Sequence, residues 1–541
     1  MSYNIADLFE HAADAVPERL ALVCDDVRLT FRELDDRASR LAHFLSSEGI
    51  GRGDHVGIYA NNSAAWVETM YASFKARAIP ININFRYIEG ELAYILDNAD
   101  LKAIVFDRRF APRLAAVRDS ARDLQTLVRV DDPTGTDLSG LDAIDYEQAV
   151  AAGSPARDFA ERSPDDLYVL YTGGTTGMPK GVMWRQEDVF MALGGGIDQL
   201  SGVRVSDDHT LADQAAESGG ALVFLVIPPL MHGAAQWATM GQHFRGNTIV
   251  LLPSFDPAEV WRLVEEYQIN SLIITGDAMG RPIIEWLEDN PDAHDVSSLI
   301  SVSSSAAIFS PTVKDRFLDR FGNLVITDSI GSTESGFNGI AQVGKGQTQL
   351  KGGGPTVAPG PDLVILDEHL EVIPEGSSQV GRIGRGGNIP LGYYKDEEKT
   401  RSTFVVAADG RRYSMPGDFA RWEADGHMTL LGRGSVSINS GGEKIYPEEV
   451  EQALKDHPAV FDCLVVGVPD DRWGQRVAAV VQFRKGRSAG LEELCEHARK
   501  HIAGYKVPRE MHQVDVVVRS PSGKPDYPWA TRVARGELMG S

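Results

Sequence analysis

The sequence predicts an α/β protein. A large N-terminal domain of two layered β/α subdomains and a small β-barrel-like subdomain is followed by a small α+β C-terminal domain. Three observations predict it. Strand-like and helix-like segments alternate through the first 110 residues and again between Thr248 and Thr327. Beyond Gly352, Gly and Pro become dense and short strand patterns dominate. From Pro447 a compact pattern of helix, two strands, helix and strand begins. At 541 residues the chain exceeds what one hydrophobic core supports.

Each element has its own local signal. Ile5, Leu8, Phe9, Ala12, Ala13 and Val16 recur at helical spacing, and the apolar run Leu20–Cys24 reads as a strand. Thr30 with Glu33 forms a capping box that opens a helix, which Gly49 closes. A strand at His55–Tyr59 and a helix near 64–76 follow. Such alternation predicts a sheet covered by helices on both faces. The same grammar gives a strand at Thr248–Leu252, a helix at Pro257–Tyr267 and strands at Ser271–Ile274 and Leu324–Thr327. In the C-terminal part it gives helices at Glu448–Lys455 and Leu491–His501. Strands are expected there near Cys463–Val468, Val477–Phe483 and Val514–Val518.

Composition excludes several functions. The net charge of -24 disfavours nucleic acid and anionic membranes as partners. That charge sits in the body, because the stretch from Arg433 onward is nearly neutral. Cys24, Cys463 and Cys495 have no ligand-like spacing, which disfavours disulfides or a cysteine zinc site and suits a reducing, cytoplasmic setting. Met1–Glu10 has no basic, signal-like start, and the longest apolar run, Ala221–Ile227, falls far short of a membrane span.

The strongest chemical signal is Tyr171-Thr-Gly-Gly-Thr-Thr-Gly-Met-Pro-Lys180-Gly181. It follows the apolar strand Leu167–Leu170, so it is expected at a strand's carboxyl end, where open α/β sheets bind ligands. Gly173, Gly174 and Gly177 let the backbone approach phosphate oxygens. Thr172, Thr175 and Thr176 supply hydroxyls, and Lys180 supplies a point charge. The nucleotide loop G-x-x-x-x-G-K-[ST] is excluded, because Pro179 precedes the lysine and Gly181 follows it.

This motif resembles the phosphate loop of the adenylate-forming superfamily of acyl-CoA synthetases, luciferases and adenylation domains, and the resemblance extends along the chain in that family's order. Asp328-Ser329-Ile-Gly-Ser-Thr333-Glu334 is similar to its Gly-x-Thr-Glu motif, which implies that Thr333 contacts the adenylate phosphate and Glu334 holds Mg2+. Alone, Ser-Thr-Glu reads as a helix N-cap. Ser305-Ala306 resembles the segment lining the adenine pocket, and Ile330 stands where the family usually has an aromatic ring. Asp418, in Tyr413-Ser-Met-Pro-Gly-Asp, matches the ribose-binding aspartate, with Arg433 as a second contact. A carboxylate accepts both ribose hydroxyls, so the residue type suits the task.

The resemblance also implies a hinge at 433–437 between domains 1–432 and 438–541, with Ser435-Val436 replacing the usual Lys-Asp. Gly441, Gly442 and Lys444 match the coenzyme A segment. Lys524, in Ser520-Pro-Ser-Gly-Lys-Pro-Asp526, matches the C-terminal catalytic lysine, which neutralises charge as the adenylate forms. Pro228-Pro-Leu-Met-His232-Gly233-Ala234-Ala235 resembles the acyl-gating segment. His232 is equally readable as a buried histidine at a helix start. Gly233, Ala234, Ala235, Gly194–Gly196 and Gly276 are small, and wherever they line the pocket they make it roomy.

Extended patterns around Trp184-Arg185, Thr327–Ser332 and Gly434–Lys444 are similar to actinobacterial enzymes that load steroid side chains onto coenzyme A. The expected activity is therefore ATP- and Mg2+-dependent ligation of a bulky hydrophobic acid to coenzyme A through an acyl-adenylate. The alternatives are a medium- or long-chain fatty acid substrate and an acyl-AMP ligase that does not use coenzyme A. A homodimer is the default assembly.

Overall fold

The computed structural model describes the chain except residues 1–2, 173–177, 199–200, 308, 345–354, 441–442, 471–472, 521–522 and 539–541; the side chains of 433, 435, 443 and 444 are also outside the description. The chain divides into two compact units. One comprises Met1–Ile273, Asp292–Leu299 and Asn388–Ser402, and the other Ile274–Pro291, Ile300–Gly387 and Thr403–Ser541.

The first unit carries a five-stranded parallel sheet in the order Ile79–Asn82, His55–Tyr59, Leu101–Asp107, Thr126–Val130, Ile144–Asp145. Both faces are buried. Helices Phe31–Ser47, Ala64–Lys75 and Tyr146–Ala152 cover one face, around Leu41, Val56, Val105 and Val128. Helices Glu89–Asn98 and Ala111–Val117 cover the other, around Ile81, Leu92, Ile104 and Leu114. A second set of strands, Leu20–Cys24, Thr248–Leu251, Val223–Val226 and Ser271–Ile274, is parallel, with Val27–Thr30 added antiparallel at the edge. The expected local signals operate. Thr30 and Glu33 form the capping box, and Gly49 takes φ +80° just after the helix end.

The second unit begins with the parallel pair Ser301–Ser305 and Val325–Ser332. It continues antiparallel through Gly336–Val343, Thr356–Pro359, Met428–Arg433, Asp418–Trp422 and Gly381–Arg385. This is the curved β region expected from the Gly/Pro-rich texture. It closes on a core of Val357, Ile365, Ile383, Ala420, Trp422 and Met428.

The C-terminal part of this unit is a five-stranded sheet, built on the long hairpin Val460–Asp470 and Gly474–Phe483. Helices Pro447–Lys455 and Leu491–Ala498 bury one face, and Tyr527–Ala534 buries the other. The last strand is Glu510–Val514, running parallel to Ala478–Gln482, not Val514–Val518. The apolar run misled because Val516 and Val518 point outward, and only Val517 is buried, against the Tyr527–Ala534 layer.

Candidate active site

Thr172 and Lys180 face each other across two antiparallel strands, Leu167–Thr172 and Lys180–Arg185, in a small three-stranded sheet with Gly392–Tyr393. The motif does begin at the carboxyl end of the strand Leu167–Thr172, as expected, but that strand's neighbour is antiparallel. The chain returns as a strand immediately after Pro179, without the crossover helix a parallel neighbour requires. The glycines and threonines at 173–177 lie outside the described residues. Lys180 Nζ pairs with Asp396 and lies 5.9 Å from the Tyr393 ring centroid. The lysine holds the Asp396 carboxyl below its usual range by hydrogen bond and charge. Gly181 is required by packing, since a Cβ there would stand 2.8 Å from the Tyr171 ring.

The strand bearing Tyr171 is fastened by a residue that the sequence did not reveal. Asn82, buried, accepts the Tyr171 N–H through Oδ1 at 2.8 Å, and its Nδ2 donates to the carbonyls of Tyr171 (2.8 Å) and Met231 (2.7 Å). One amide thus ties the strand bearing Tyr171 to the residue before His232. Asn62 does similar work upstream, donating to Pro228 and Leu252 carbonyls and accepting from Leu230 N–H at 2.7 Å. Gln236 Nε2 donates to the Leu230 carbonyl, and Tyr168 donates to Gln236.

His232 is the N-cap of the helix Gly233–His243, so His232, Gly233 and Ala234 sit together at one helix N-terminus. His232 and Gly233 are half-buried and Ala234 is exposed. Gly194–Gly196 do not add room. A Cβ on Gly194 would meet Phe190 at 2.8 Å, on Gly195 the Arg245 guanidinium at 2.1 Å, and on Gly196 the Met191 sulfur at 2.7 Å. These glycines are small because neighbours already fill the space.

In the second unit, Ser305 ends its strand and pairs with Ser329, the last pair of the parallel ladder with Val325–Ser332, a position suited to a ligand. Ala306 follows in a left-handed conformation (φ +66°), a strain seldom tolerated by a side-chain-bearing residue away from a functional loop. Asp328 lies in the same strand but is buried, and Lys314 Nζ donates to its carboxylate at 2.7 Å. Burial raises its carboxyl pKa, opposed by Lys314. Asp328 therefore braces the strand, with its charge already satisfied. Ile330 packs against the apolar barrel core.

Thr333 and Glu334 form the turn between Val325–Ser332 and Gly336–Val343, so the helix N-cap reading does not apply. Ser335 is fully buried below them, its N–H bonded to Ser332 Oγ. Ser414 Oγ donates to the Glu334 carbonyl at 2.5 Å, fixing the turn. Opposite Ser414 stands Arg385, also missed in the sequence because an arginine in a glycine-rich run carries no motif. Arg385 is buried, and its Nε and Nη1 find no hydrogen-bond acceptor among the described residues. Burial lowers its pKa, opposed by Asp362.

Asp418 begins its strand directly opposite Arg433, so the two expected ribose contacts are register partners. Lys444 pairs with Asn439 in a short hairpin, and Gly441–Gly442 lie outside the described residues. The Lys524 loop abuts the start of the helix Gly276–Asp289. A Cβ on Gly523 (φ +72°) would come within 2.9 Å of the Ala278 Cβ. Ser520 Oγ accepts the Lys524 N–H, and Arg519 Nη1 donates to the Gly523 carbonyl at 3.0 Å. Two further contacts link the C-terminal sheet and hairpin to the same helix: Arg484 to Glu285 at 2.5 Å and Arg281 over Phe461.

Residues 9–394 match the AMP-binding enzyme family, and residues 449–524 match the AMP-binding enzyme C-terminal domain. A Rhodococcus rhodochrous protein named 3-oxocholest-4-en-26-oate--CoA ligase is 54% identical over 98% of this chain and 96% of its own. A Mycobacterium tuberculosis (strain ATCC 25618 / H37Rv) protein named medium/long-chain-fatty-acid--CoA/3-oxocholest-4-en-26-oate--CoA ligase is 51% identical over the same shares. In fold, the chain matches the anthranilate CoA ligase AuaEII with anthranoyl-AMP at a TM-score of 0.84, with 23% identity covering 99% of this chain and 98% of that one. ATP-bound MatB from Rhodopseudomonas palustris matches at 0.79, with 23% identity, covering 98% and 99%. The chain belongs to the AMP-binding enzyme family and, within it, to the acyl-CoA synthetases.

Proposed function

We propose that the chain joins a bulky hydrophobic carboxylic acid, of the steroid side-chain class, to coenzyme A. The observation that carries the acyl choice is the 54% identity over nearly the full chain to the Rhodococcus relative named for 3-oxocholest-4-en-26-oate. A second reading, a medium- or long-chain fatty acid, is favoured by the mycobacterial relatives whose names include both classes.

In the first half-reaction the acid's carboxylate attacks the α-phosphate of ATP and pyrophosphate leaves. Lys180 and the Thr172–Gly177 segment hold phosphate oxygens, Thr333 contacts the α-phosphate, and Asp418 with Arg433 holds the ribose. Ser305, Ala306 and Ser329 border the base. Lys524 offsets the charge that builds on the carboxylate and the phosphate. Lys180 exchanges Asp396 for phosphate when nucleotide enters.

Mg2+ suits Glu334, a hard carboxylate donor on a turn that Ser414 immobilises. Bound there, it would neutralise phosphate charge. In the second half-reaction the thiol attacks the adenylate carbonyl and AMP leaves. Gly441, Gly442 and Lys444 border the pantetheine, and His232, Gly233 and Ala234 border the acyl group. Rotation of 438–541 about 433–437 exchanges Lys524 for the 441–444 segment between the two steps. We place the enzyme in the cytoplasm as a homodimer; its three cysteines are buried and unpaired, and among the described residues no helix is long and apolar enough to cross a membrane.

Pyrophosphate release and acyl-CoA formation, measured with acids from hexanoate to a cholestenoate, test the acyl choice. The steroid acid is expected to give the highest kcat/KM. Preference for a short or medium fatty acid would overturn it.

A further inference from the structure

The C-terminal sheet carries a cluster that the ligase chemistry does not use. Asp456 ends the helix Pro447–Lys455, and His497 lies in the last turn of Leu491–Ala498. His501 follows one turn later, in the spacing His-x-x-x-His. One carboxylate oxygen of Asp456 lies 3.7 Å from His497 Nε2 and 3.5 Å from His501 Nε2. One ligand atom from each of the three residues lies within 4.8 Å of the others. His457 and Glu493 border the same spot. The His457 ring meets His497 edge-on at 5.1 Å, and its Nε2 lies 3.5 Å from Glu493 Oε1.

We infer that Asp456, His497 and His501 form a binding site for a divalent transition-metal ion of the zinc class, which pins the ends of these two helices together. Four ligands at about 2.0–2.2 Å in a tetrahedron lie about 3.3–3.6 Å apart, which matches the Asp456–histidine separations with a few tenths of an ångström of closure. Two imidazoles and a carboxylate are a ligand set for zinc or cobalt, whereas magnesium and calcium prefer all-oxygen sites. The side chains are about a fifth to a quarter exposed, so solvent can supply the fourth ligand.

An unpartnered imidazole nitrogen also fits. His497 Nε2 is buried and has no hydrogen-bond partner among the described residues, an unsatisfied state that a metal would relieve.

Full-length, tag-free protein stripped with a chelator should bind Zn2+ with one extra equivalent relative to the double variant H497Q/H501Q, by calorimetry in magnesium-containing buffer. His501→Gln or Asp456→Asn alone should weaken that equivalent by about tenfold to a hundredfold, with unchanged circular dichroism. Co2+ should give the intense visible bands of a four-coordinate site. Zinc should raise the Tm of the wild-type protein but not of the double variant. Equal zinc stoichiometry in wild type and double variant overturns the site, as does a weak, six-coordinate cobalt spectrum. Because binding and Tm need no acyl substrate, this outcome is independent of the proposed ligase substrate.

Discussion

Arg519 grips Asp462 with two hydrogen bonds, from Nε at 2.6 Å and Nη2 at 2.9 Å, and uses its remaining nitrogen on the Gly523 carbonyl. Lys455 approaches the same carboxylate at 3.1 Å, and buried Glu451 lies alongside, accepting the Val465 N–H. Burial alone would push the Asp462 carboxyl up, but Lys455 and Arg519 hold it well below the ordinary carboxylate range. The loop that presents Lys524 is therefore built on a buried ion pair.

Asp462→Ala should destabilise the protein by about 3–5 kcal/mol, because it leaves Arg519 buried without its counter-charge. A group with a depressed pKa contributes stability above its unfolded pKa and loses it as pH falls through the folded value. The penalty should therefore be full near pH 7 and shrink in strong acid. Denaturant unfolding at several pH values measures this, and a loss under 1 kcal/mol at pH 7 refutes the anchoring.

Lys524→Ala should reduce adenylate formation by about a thousandfold, equivalent to about 4 kcal/mol of transition-state stabilisation. Transfer from supplied acyl-AMP to coenzyme A should persist. Pyrophosphate release and thioester formation, assayed separately, decide it; equal losses in both would remove the assigned role.

Asp418→Ala should raise the KM for ATP at least about tenfold while leaving the Tm nearly unchanged. The measurement is initial rate against ATP concentration, and unaltered ATP dependence contradicts ribose binding.

Asn82→Ala should cost about 2–4 kcal/mol, since it orphans the Tyr171 N–H and two buried carbonyls. It should also impair both ATP and acyl kinetics, because Tyr171 and Met231 lose their common tie. A stability loss without any kinetic change would confine Asn82 to the core.

Acid sensitivity should include His243, which is fully buried between Tyr71 and the Ala21 carbonyl. A carbonyl only accepts, so Nε2 carries the proton and Nδ1 receives the Tyr71 hydroxyl. Burial lowers the pKa to about 4. The unfolded histidine titrates near about 6.5, so the stability it confers is full above that pH and is lost as pH falls toward 4. Two to three pKa units correspond to about 3 kcal/mol. His243→Gln should flatten the unfolding free energy between pH 6.5 and 4.5 by about that amount, and an identical acid limb in both proteins would rule it out.

Local order was readable wherever a short stretch carries its own cause. The Thr30–Glu33 box, the strand His55–Tyr59 and the helix Pro257–Tyr267 form as read, because capping, apolar periodicity and N-terminal proline act within a few residues. Misreadings arose where the answer lay far along the chain. Val514–Val518 is apolar enough for a strand, but the backbone partners of the Ala478–Gln482 segment are five residues at 510–514. Gly194–Gly196 suggested open space until Phe190, Met191 and Arg245 filled it.

For the candidate site, the sequence alone determined which residue types are available and in what order. The ordered segments from Tyr171 to Lys524 carried the resemblance to the family, which the matches over residues 9–394 and 449–524 bear out. Tertiary structure alone decided what holds those segments. Asn82 reaches Tyr171 and Met231, Ser414 reaches the Glu334 carbonyl, and Arg519 closes on Asp462; in each case one polar side chain spans tens of residues or more. A polar group taken out of water needs a partner, and only the folded chain brings that partner within 3 Å or so.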